Sequence, residues 1–312
     1  MDQNVLKILN PKANRLPENP DSSKGRFPSW LHRTLPMGGS YFKTDEILRK
    51  YRLNTVCEEA KCPNRMECFN SKTATFLALG KTCTRACGFC DIGFSKTPPA
   101  PEADEPQRIA LSAKELNLKH IVITMVARDD LIDYGASHIA AIISEVRKEN
   151  SQATIEVLTS DFCGDTDALD KVLLEKPDVF NHNIETVRRL TPKIRHKATY
   201  DTTLSVLRHA KQSSRSRFIK SGIMVGLGET LDEVKETLVD LKEAGCDIVT
   251  IGHYLQASRL KLPVKAFITP DHFLDLAKFG ENIGIDHVYS GPFVRSSYNA
   301  SSLFDKATNA GL

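Results

Sequence analysis

His120–Ser160 reads HIVITMVARDDLIDYGASHIAAIISEVRKENSQATIEVLTS. HIVITMV and TIEVLTS are short, apolar and rich in β-branched residues, the composition of strands buried on both faces. Between them, GASHIAAIISEVRKEN has the apolar spacing of an amphipathic helix. Strands joined by a crossover helix run parallel. The same alternation extends outward in both directions. TATFLAL at 73–79 precedes this unit; DVFNHNI at 178–184, FIKSGIMVG at 218–226 and DIVTIGHYL at 247–255 follow it, with TLDEVKETLVDLKEAG at 230–245 as another helix. Six βα units in a row predict an α/β fold, a partial TIM-like (β/α)6 barrel with N- and C-terminal extensions. The boundaries fall at 1–72 for an N-terminal arm and a cysteine-rich region, 73–285 for the barrel, and 286–312 for a C-terminal extension.

Composition agrees with one large domain carrying extensions. The 312 residues are 41% hydrophobic and 26% charged, enough to bury a sizeable core. The net charge of +3 is spread along the chain and singles out no nucleic-acid partner. The opening MDQNVLKILNPKANRLPENP lacks the apolar run of a signal peptide, and no segment reaches the roughly 18 apolar residues of a membrane span, so a cytoplasmic location is expected. The first 45 residues, rich in Pro, Asn and Lys, read as an extended arm. A short helix follows, with Thr44 as its N-cap and Ile47, Leu48 and Tyr51 on one face.

Barrel chemistry sits at the C-terminal ends of strands. Three polar groups fall there: Cys83–Cys90 after the first strand, Arg128-Asp129-Asp130 after the second and Asn181-His182-Asn183 after the fourth. In TCTRACGFCD, Thr82–Asp91, three cysteines are spaced CxxxCxxC. Closed structural metal sites take four protein ligands, so a three-thiolate loop leaves one metal position open to a small molecule. The alternative is a zinc loop completed by a distant residue.

This spacing directly after the first strand, with Phe89 before the last cysteine, resembles the signature of the radical S-adenosylmethionine (SAM) superfamily. The resemblance implies that Cys83, Cys87 and Cys90 hold a [4Fe-4S] cluster. SAM would chelate the fourth iron and, on reduction, yield a 5′-deoxyadenosyl radical that abstracts hydrogen from an unactivated carbon. A second cysteine group, Cys57, Cys62 and Cys68 in VCEEAKCPNRMECFN, narrows the match. Together with FNHNIET, KSGIMVGLGE and GPFVRSSY it resembles the lipoyl synthase family along nearly the whole chain.

That family implies an auxiliary [4Fe-4S] cluster at Cys57, Cys62 and Cys68, consumed as the sulfur source. Two sulfur atoms would enter at C6 and C8 of an octanoyl group on the lysine of a lipoyl carrier domain. The carriers implied are the E2 subunits of 2-oxoacid dehydrogenases and the glycine cleavage H protein. A ferredoxin or flavodoxin would supply electrons to a monomeric enzyme. The resemblance also assigns SAM contacts to Arg128, Asn183, Glu185, Lys220, Gly226 and Glu229. It makes a serine of RSSY the fourth auxiliary ligand, taken here as Ser297, with Arg295 beside the cluster; the sequence does not separate Ser296 from Ser297.

Tyr134 stands where the related motif has glycine, and His253 and Ala257 where it has glutamine and proline. Cys163 and Cys246 lie outside any ligand-like spacing and are expected to be inert thiols. His182 is expected to be a packed, hydrogen-bonded histidine, and Arg195, His196 and Lys197 to be solvated, as a basic rim facing an acidic carrier domain. Two other readings stay open: a sulfur inserter of the same superfamily acting on a free metabolite or RNA, and a plain two-cluster electron carrier.

Overall fold

The computed structural model describes residues 27–32 and 40–309. Most of the expected arm lies outside the described residues. Helix α1 spans Ser40–Lys50, and α2, Val56–Glu59, and α3, Arg65–Asn70, follow. Thr44 is not a cap. It lies one turn inside α1, fully buried, where its hydroxyl donates to Phe69 O at 2.8 Å and Ser40 O at 3.2 Å. A threonine that finds carbonyl partners inside a helix needs no free N–H to satisfy. Ile47 and Leu48 are buried, and Tyr51 packs against the core beside them, as the apolar face required.

Strand β1, Thr75–Ala78, opens the barrel, and the two-residue strands β2, Thr82–Cys83, and β3, Gly93–Phe94, bracket the CxxxCxxC loop. Then α4 (Glu105–Glu115), β4 (His120–Met125), α5 (Ala136–Glu149), β5 (Thr154–Leu158), α6 (Thr166–Leu174) and β6 (Val179–Asn181) alternate. Short α7 (Thr191–Ile194) and long α8 (Tyr200–Ser213) lead to β7 (Phe218–Val225), α9 (Leu231–Glu243), β8 (Ile248–His253), α10 (Pro270–Asn282), β9 (His287–Gly291) and α11 (Ala300–Asn309). The main sheet is parallel in the order β1-β4-β5-β6-β7-β8-β9, with each strand beside its chain neighbour. That order, with helices outside, is a partial TIM barrel. All six expected strands are present.

The seventh strand, β9, begins at residue 287, within the segment set apart as the C-terminal extension. Its residues HVYSG lack the apolar run of the other strands, because β9 is an edge strand and most of it is half-buried. At the other edge β1 pairs with the segment ahead of it: Leu77 N–H donates to Asn54 O at 2.9 Å, and Thr55 bridges Phe76. The cysteine-rich N-terminal region is thereby stitched onto the β1 edge of the barrel. From β9, at the C-terminal ends of the strands, the chain descends to α11. There Phe304 packs 5.5 Å from His120 and 5.8 Å from Phe218, covering the opposite end of the barrel.

Inside the barrel, Lys220 Nζ lies 2.9 and 3.0 Å from the Glu156 oxygens, with both side chains 1% exposed. Asn181 Nδ2 donates to Glu156 at 2.9 Å, and His120 Nε2 is 3.3 Å away. Burial alone would raise the Glu156 carboxyl, but Lys220 and His120 outweigh it and hold it at about 2. A carboxyl depressed on folding adds stability above its unfolded value of 4.5, and loses it as pH falls towards the folded value. Lys220→Met should therefore lower stability by about 3–5 kcal/mol near neutral pH, because it strands a buried carboxylate. The deficit should shrink as acid protonates Glu156. Urea unfolding at two pH values checks both, and a deficit below about 1 kcal/mol would contradict this role.

Candidate functional site

The CxxxCxxC loop hangs from the barrel by main-chain bonds. Thr84 N–H and Oγ1 both donate to Ala127 O at 3.0 Å, tying the loop to the end of β4. Gly88 N–H donates to Ile194 O at 2.9 Å, and Leu262 N–H donates back to Gly88 O at 3.1 Å. A Cβ on Gly88 would sit 2.8 Å from Leu262 Cδ1, so a larger residue would have to push the Leu262 side chain aside. Arg85, between the first two cysteines, is buried. Its guanidinium donates to Asp129 at 2.8–3.0 Å and lies 2.7 Å from Asp161 Oδ1. Burial would raise both carboxyls, but Arg85 holds each below its ordinary value. Planar bidentate pairing of this kind fixes orientation as well as position.

A cavity of about 330 Å³ opens above the strands, lined by Cys83, Cys87 and Cys90 together with Cys62, Arg295, Ser296 and Ser297. Much of the remaining wall is apolar, including Leu77, Met125, Val126, Ile223 and Leu255. A second cavity, about 380 Å³, holds Cys57, Cys68, Ser297 and Tyr298. Ser297 lines both, so it stands where the upstream cysteines meet the CxxxCxxC loop. Ser296 is engaged elsewhere: its hydroxyl donates to Asn183 Oδ1 at 2.7 Å, while Asn183 Nδ2 donates to Glu185 at 3.0 Å. A Cβ on Gly222 would lie 2.5 Å from Ser296 Oγ and 2.8 Å from Asn183 Oδ1, so glycine makes room for this chain.

The donor set fits iron–sulfur chemistry. All eight cysteines are free, and six of them converge on two cavities that share one serine. Among the described residues, no three His, Cys, Asp or Glu side chains gather as for a single metal ion. Thiolates around a cubane stand apart at its corners. Burial pushes the Cys57 thiol up to about 12, with Cys62 adding to the shift, and burial brings Cys90 to about 12. Cys87 is also raised by burial, with Arg195 opposing. Metal binding at such thiols displaces their protons.

Several expected SAM contacts are not brought to the cavity. Arg128 is buried and grips Asp130 through two bonds of 2.8 Å. Lys220 is committed to Glu156. Glu229 folds back to accept the N–H groups of Gly226 and, at 3.0 Å, Leu227, shaping the turn after β7. These four residues have internal partners and are not among those lining the first cavity. Asn183 and Glu185 do line the cavity; burial raises the Glu185 carboxyl, with Arg195 pulling it down.

Arg195, expected in solvent, is 8% exposed and lines the cavity, where its Nη1 donates to Asn183 O at 2.9 Å and Ile184 O at 3.1 Å. Its neighbours His196 and Lys197 are exposed, and a run of three basic residues gave no cue that the first turns inward. His182 is packed as expected, its Nδ1 2.9 Å from Thr159 O and its Nε2 3.3 Å from Thr203 Oγ1; burial lowers it to about 4, so it is neutral. Cys246 is buried, and Cys163 is exposed beside Arg85, 3.3 Å from its Nη2.

Tyr134 has φ +56°, a backbone region where glycine is the unstrained residue, which explains the glycine of the related motif. His253 is buried against Phe267 with ring centroids 5.4 Å apart and donates Nδ1–H to Tyr254 O at 2.6 Å. Ala257 lines the first cavity.

Residues 77–241 match the radical SAM superfamily, and residues 9–62 match the N-terminal domain of lipoyl synthase of that superfamily. The chain is 58% identical to lipoyl synthase of Protochlamydia amoebophila, over 95% of this chain and 94% of that one. It is 54% identical to lipoyl synthase of Chlamydia felis, over 93% of each. Among solved structures it resembles methylornithine synthase at TM-score 0.51 and 15% identity, covering 89% of this chain and 90% of that one. It also resembles SuiB of Streptococcus suis bound to its precursor peptide, at TM-score 0.54 and 10% identity, over 80% of this chain and 52% of that one.

Proposed function

The chain belongs to the lipoyl synthase family of the radical SAM superfamily, and from that premise we propose that it inserts two sulfur atoms at C6 and C8 of an octanoyl group carried on a lipoyl domain. The carriers would be 2-oxoacid dehydrogenase E2 subunits and the glycine cleavage H protein, with a ferredoxin or flavodoxin as electron donor. We further propose a monomeric cytoplasmic enzyme; among the described residues no helix is long and apolar enough to cross a membrane. When bound, SAM and the [4Fe-4S] cluster supply a radical able to remove hydrogen from an unactivated carbon.

In this reading Cys83, Cys87 and Cys90 hold that cluster, and the Arg85–Asp129–Asp161 network keeps their loop in place. Asn183 and Glu185 offer polar contacts to the cofactor, and Arg195 buttresses them through the Asn183 carbonyl. The apolar wall between Leu77 and Leu255 suits an octanoyl chain and limits water around the reacting carbons. Cys57, Cys62 and Cys68 hold the sulfur-donating cluster with Ser297 as the fourth ligand. A serine oxygen is harder than thiolate and, once reprotonated, an easily detached iron ligand.

The observation that carries this reading is the place of Ser297, shared by the cavity of the radical-type loop and the cavity of Cys57 and Cys68. Ser297→Ala should keep iron content nearly intact yet reduce sulfur insertion by about 100-fold or more; Ser296→Ala, which loosens only Asn183, should cost about tenfold. Carrier thiolation in single-turnover assays decides between them. The reverse order would move the ligand to Ser296, and wild-type turnover in both would remove serine ligation from the mechanism.

A further inference from the structure

The segment carrying Ser297 is fastened on two sides. On one, Ser296 is bonded to Asn183. On the other, two long-range bonds tie it to the upstream cysteine region: Asn64 Nδ2 donates to Phe293 O at 2.8 Å, and Tyr298 Oη donates to Glu67 Oε1 at 2.7 Å. Asn64 is 1% exposed and precedes α3 directly, so this end of the tether is anchored in a packed helix start. The second bond joins immediate neighbours of the residues that count, since Tyr298 follows Ser297 and Glu67 precedes Cys68. All four of these line the second cavity.

Resting on the serine-ligand reading above, we infer that Tyr298 and Glu67 are positioning residues that hold the Ser297 oxygen against the auxiliary cluster. Serine reaches only one bond beyond Cβ, so it cannot make up for a displaced main chain as a long side chain could. Its Oγ position is therefore set by whatever fixes the backbone of the segment between β9 and α11. A tyrosine is a stiff tether with two side-chain torsions, and its bond to a carboxylate is charge-assisted and directional. The weak ligand can then detach during sulfur release without drifting away, because the tether holds its main chain at the cluster's edge.

The test reads iron, not product. In the fully loaded enzyme, the rate at which a ferrous chelator takes the first iron from the auxiliary cluster is followed together with the Mössbauer signature of the oxygen-bound iron and the melting temperature. Tyr298→Phe and Glu67→Ala should speed first-iron loss about tenfold and blur the distinct iron signal, with the melting temperature little changed. Glu67→Gln still accepts through Oε1 and should stay close to the parent. If Tyr298→Phe does not fold, the Glu67→Gln and Glu67→Ala pair gives the same comparison. Fast loss in Ser297→Ala with parent-like loss in Tyr298→Phe or Glu67→Ala would overturn the tether alone. Parent-like loss in Ser297→Ala would overturn both the tether and the serine ligation beneath it.

Discussion

Alanine at any one of Cys83, Cys87 or Cys90 is expected to abolish 5′-deoxyadenosine formation, to less than about one part in a thousand of the parent rate, while iron at the upstream cysteines is kept. Each substitution removes a sulfur and, at Cys83, the acceptor of one 3.3 Å bond from Arg85 N–H, while most of the loop's shape rests on other groups. Thr84 is bonded to Ala127, Gly88 to Ile194 and Leu262, and Arg85 to Asp129 and Asp161, and none of these bonds involves a cysteine side chain. The effect is therefore chemical. Two thiolates do not hold a cubane that must also present an open iron to SAM. The upstream cysteines lie on and between α2 and α3, outside this loop, so their share of the iron should survive. Anaerobic chromatography of 5′-deoxyadenosine beside an iron count reads both quantities. Persistent 5′-deoxyadenosine in these variants would place the open cluster elsewhere.

The complementary loss is expected at Cys62 and Cys68: alanine there should leave SAM cleavage within a few-fold of the parent and reduce thiolated carrier to background. Both side chains are half-buried and packed at the core margin, so the folding cost should be about 1 kcal/mol or less. Cys57 belongs to the same set but is 6% exposed, and Cys57→Ala mixes a packing defect with ligand loss. The two activities separate because the main-chain bonds of the radical-type loop run to the end of β4 and to α7, and its link to the upstream region, Lys61 to Asp91 at 2.7 Å, involves neither Cys62 nor Cys68. Dithiolated carrier from the Cys62→Ala or Cys68→Ala enzyme would mean that the sulfur has another source.

The barrel was legible because its strands are buried on both faces and its helices on one, so HIVITMV and GASHIAAIISEVRKEN leave different periodic traces. β9 left none. HVYSG is a half-buried edge strand, and its polar residues read as extension. The two cysteine groups stood out in the sequence because thiol spacing is a local property of the chain. The contacts around them were not, since Arg195 turns inward to the carbonyls of Asn183 and Ile184, 12 and 11 residues back, and nothing in its own stretch marks this. The internal bonds of Arg128, Lys220 and Glu229 were equally hidden. Polar residues at strand ends look like ligand contacts, yet Asp130, Glu156 and the turn after β7 satisfy them internally. Ser297 and Ser296 were indistinguishable in sequence, and only the fold sets one between two cavities and the other against Asn183.

In the proposed reaction, sulfur leaves the cluster at Cys57, Cys62 and Cys68 and enters the octanoyl chain. The direct measurement is mass spectrometry of an octanoylated lipoyl domain after one anaerobic turnover with enzyme whose clusters carry heavy-isotope sulfide, with ordinary sulfide in solution. The expected product from the parent has gained two sulfur atoms, both heavy, and Cys62→Ala should give none. A product with ordinary sulfur, or an octanoyl group unchanged while 5′-deoxyadenosine accumulates, would contradict it.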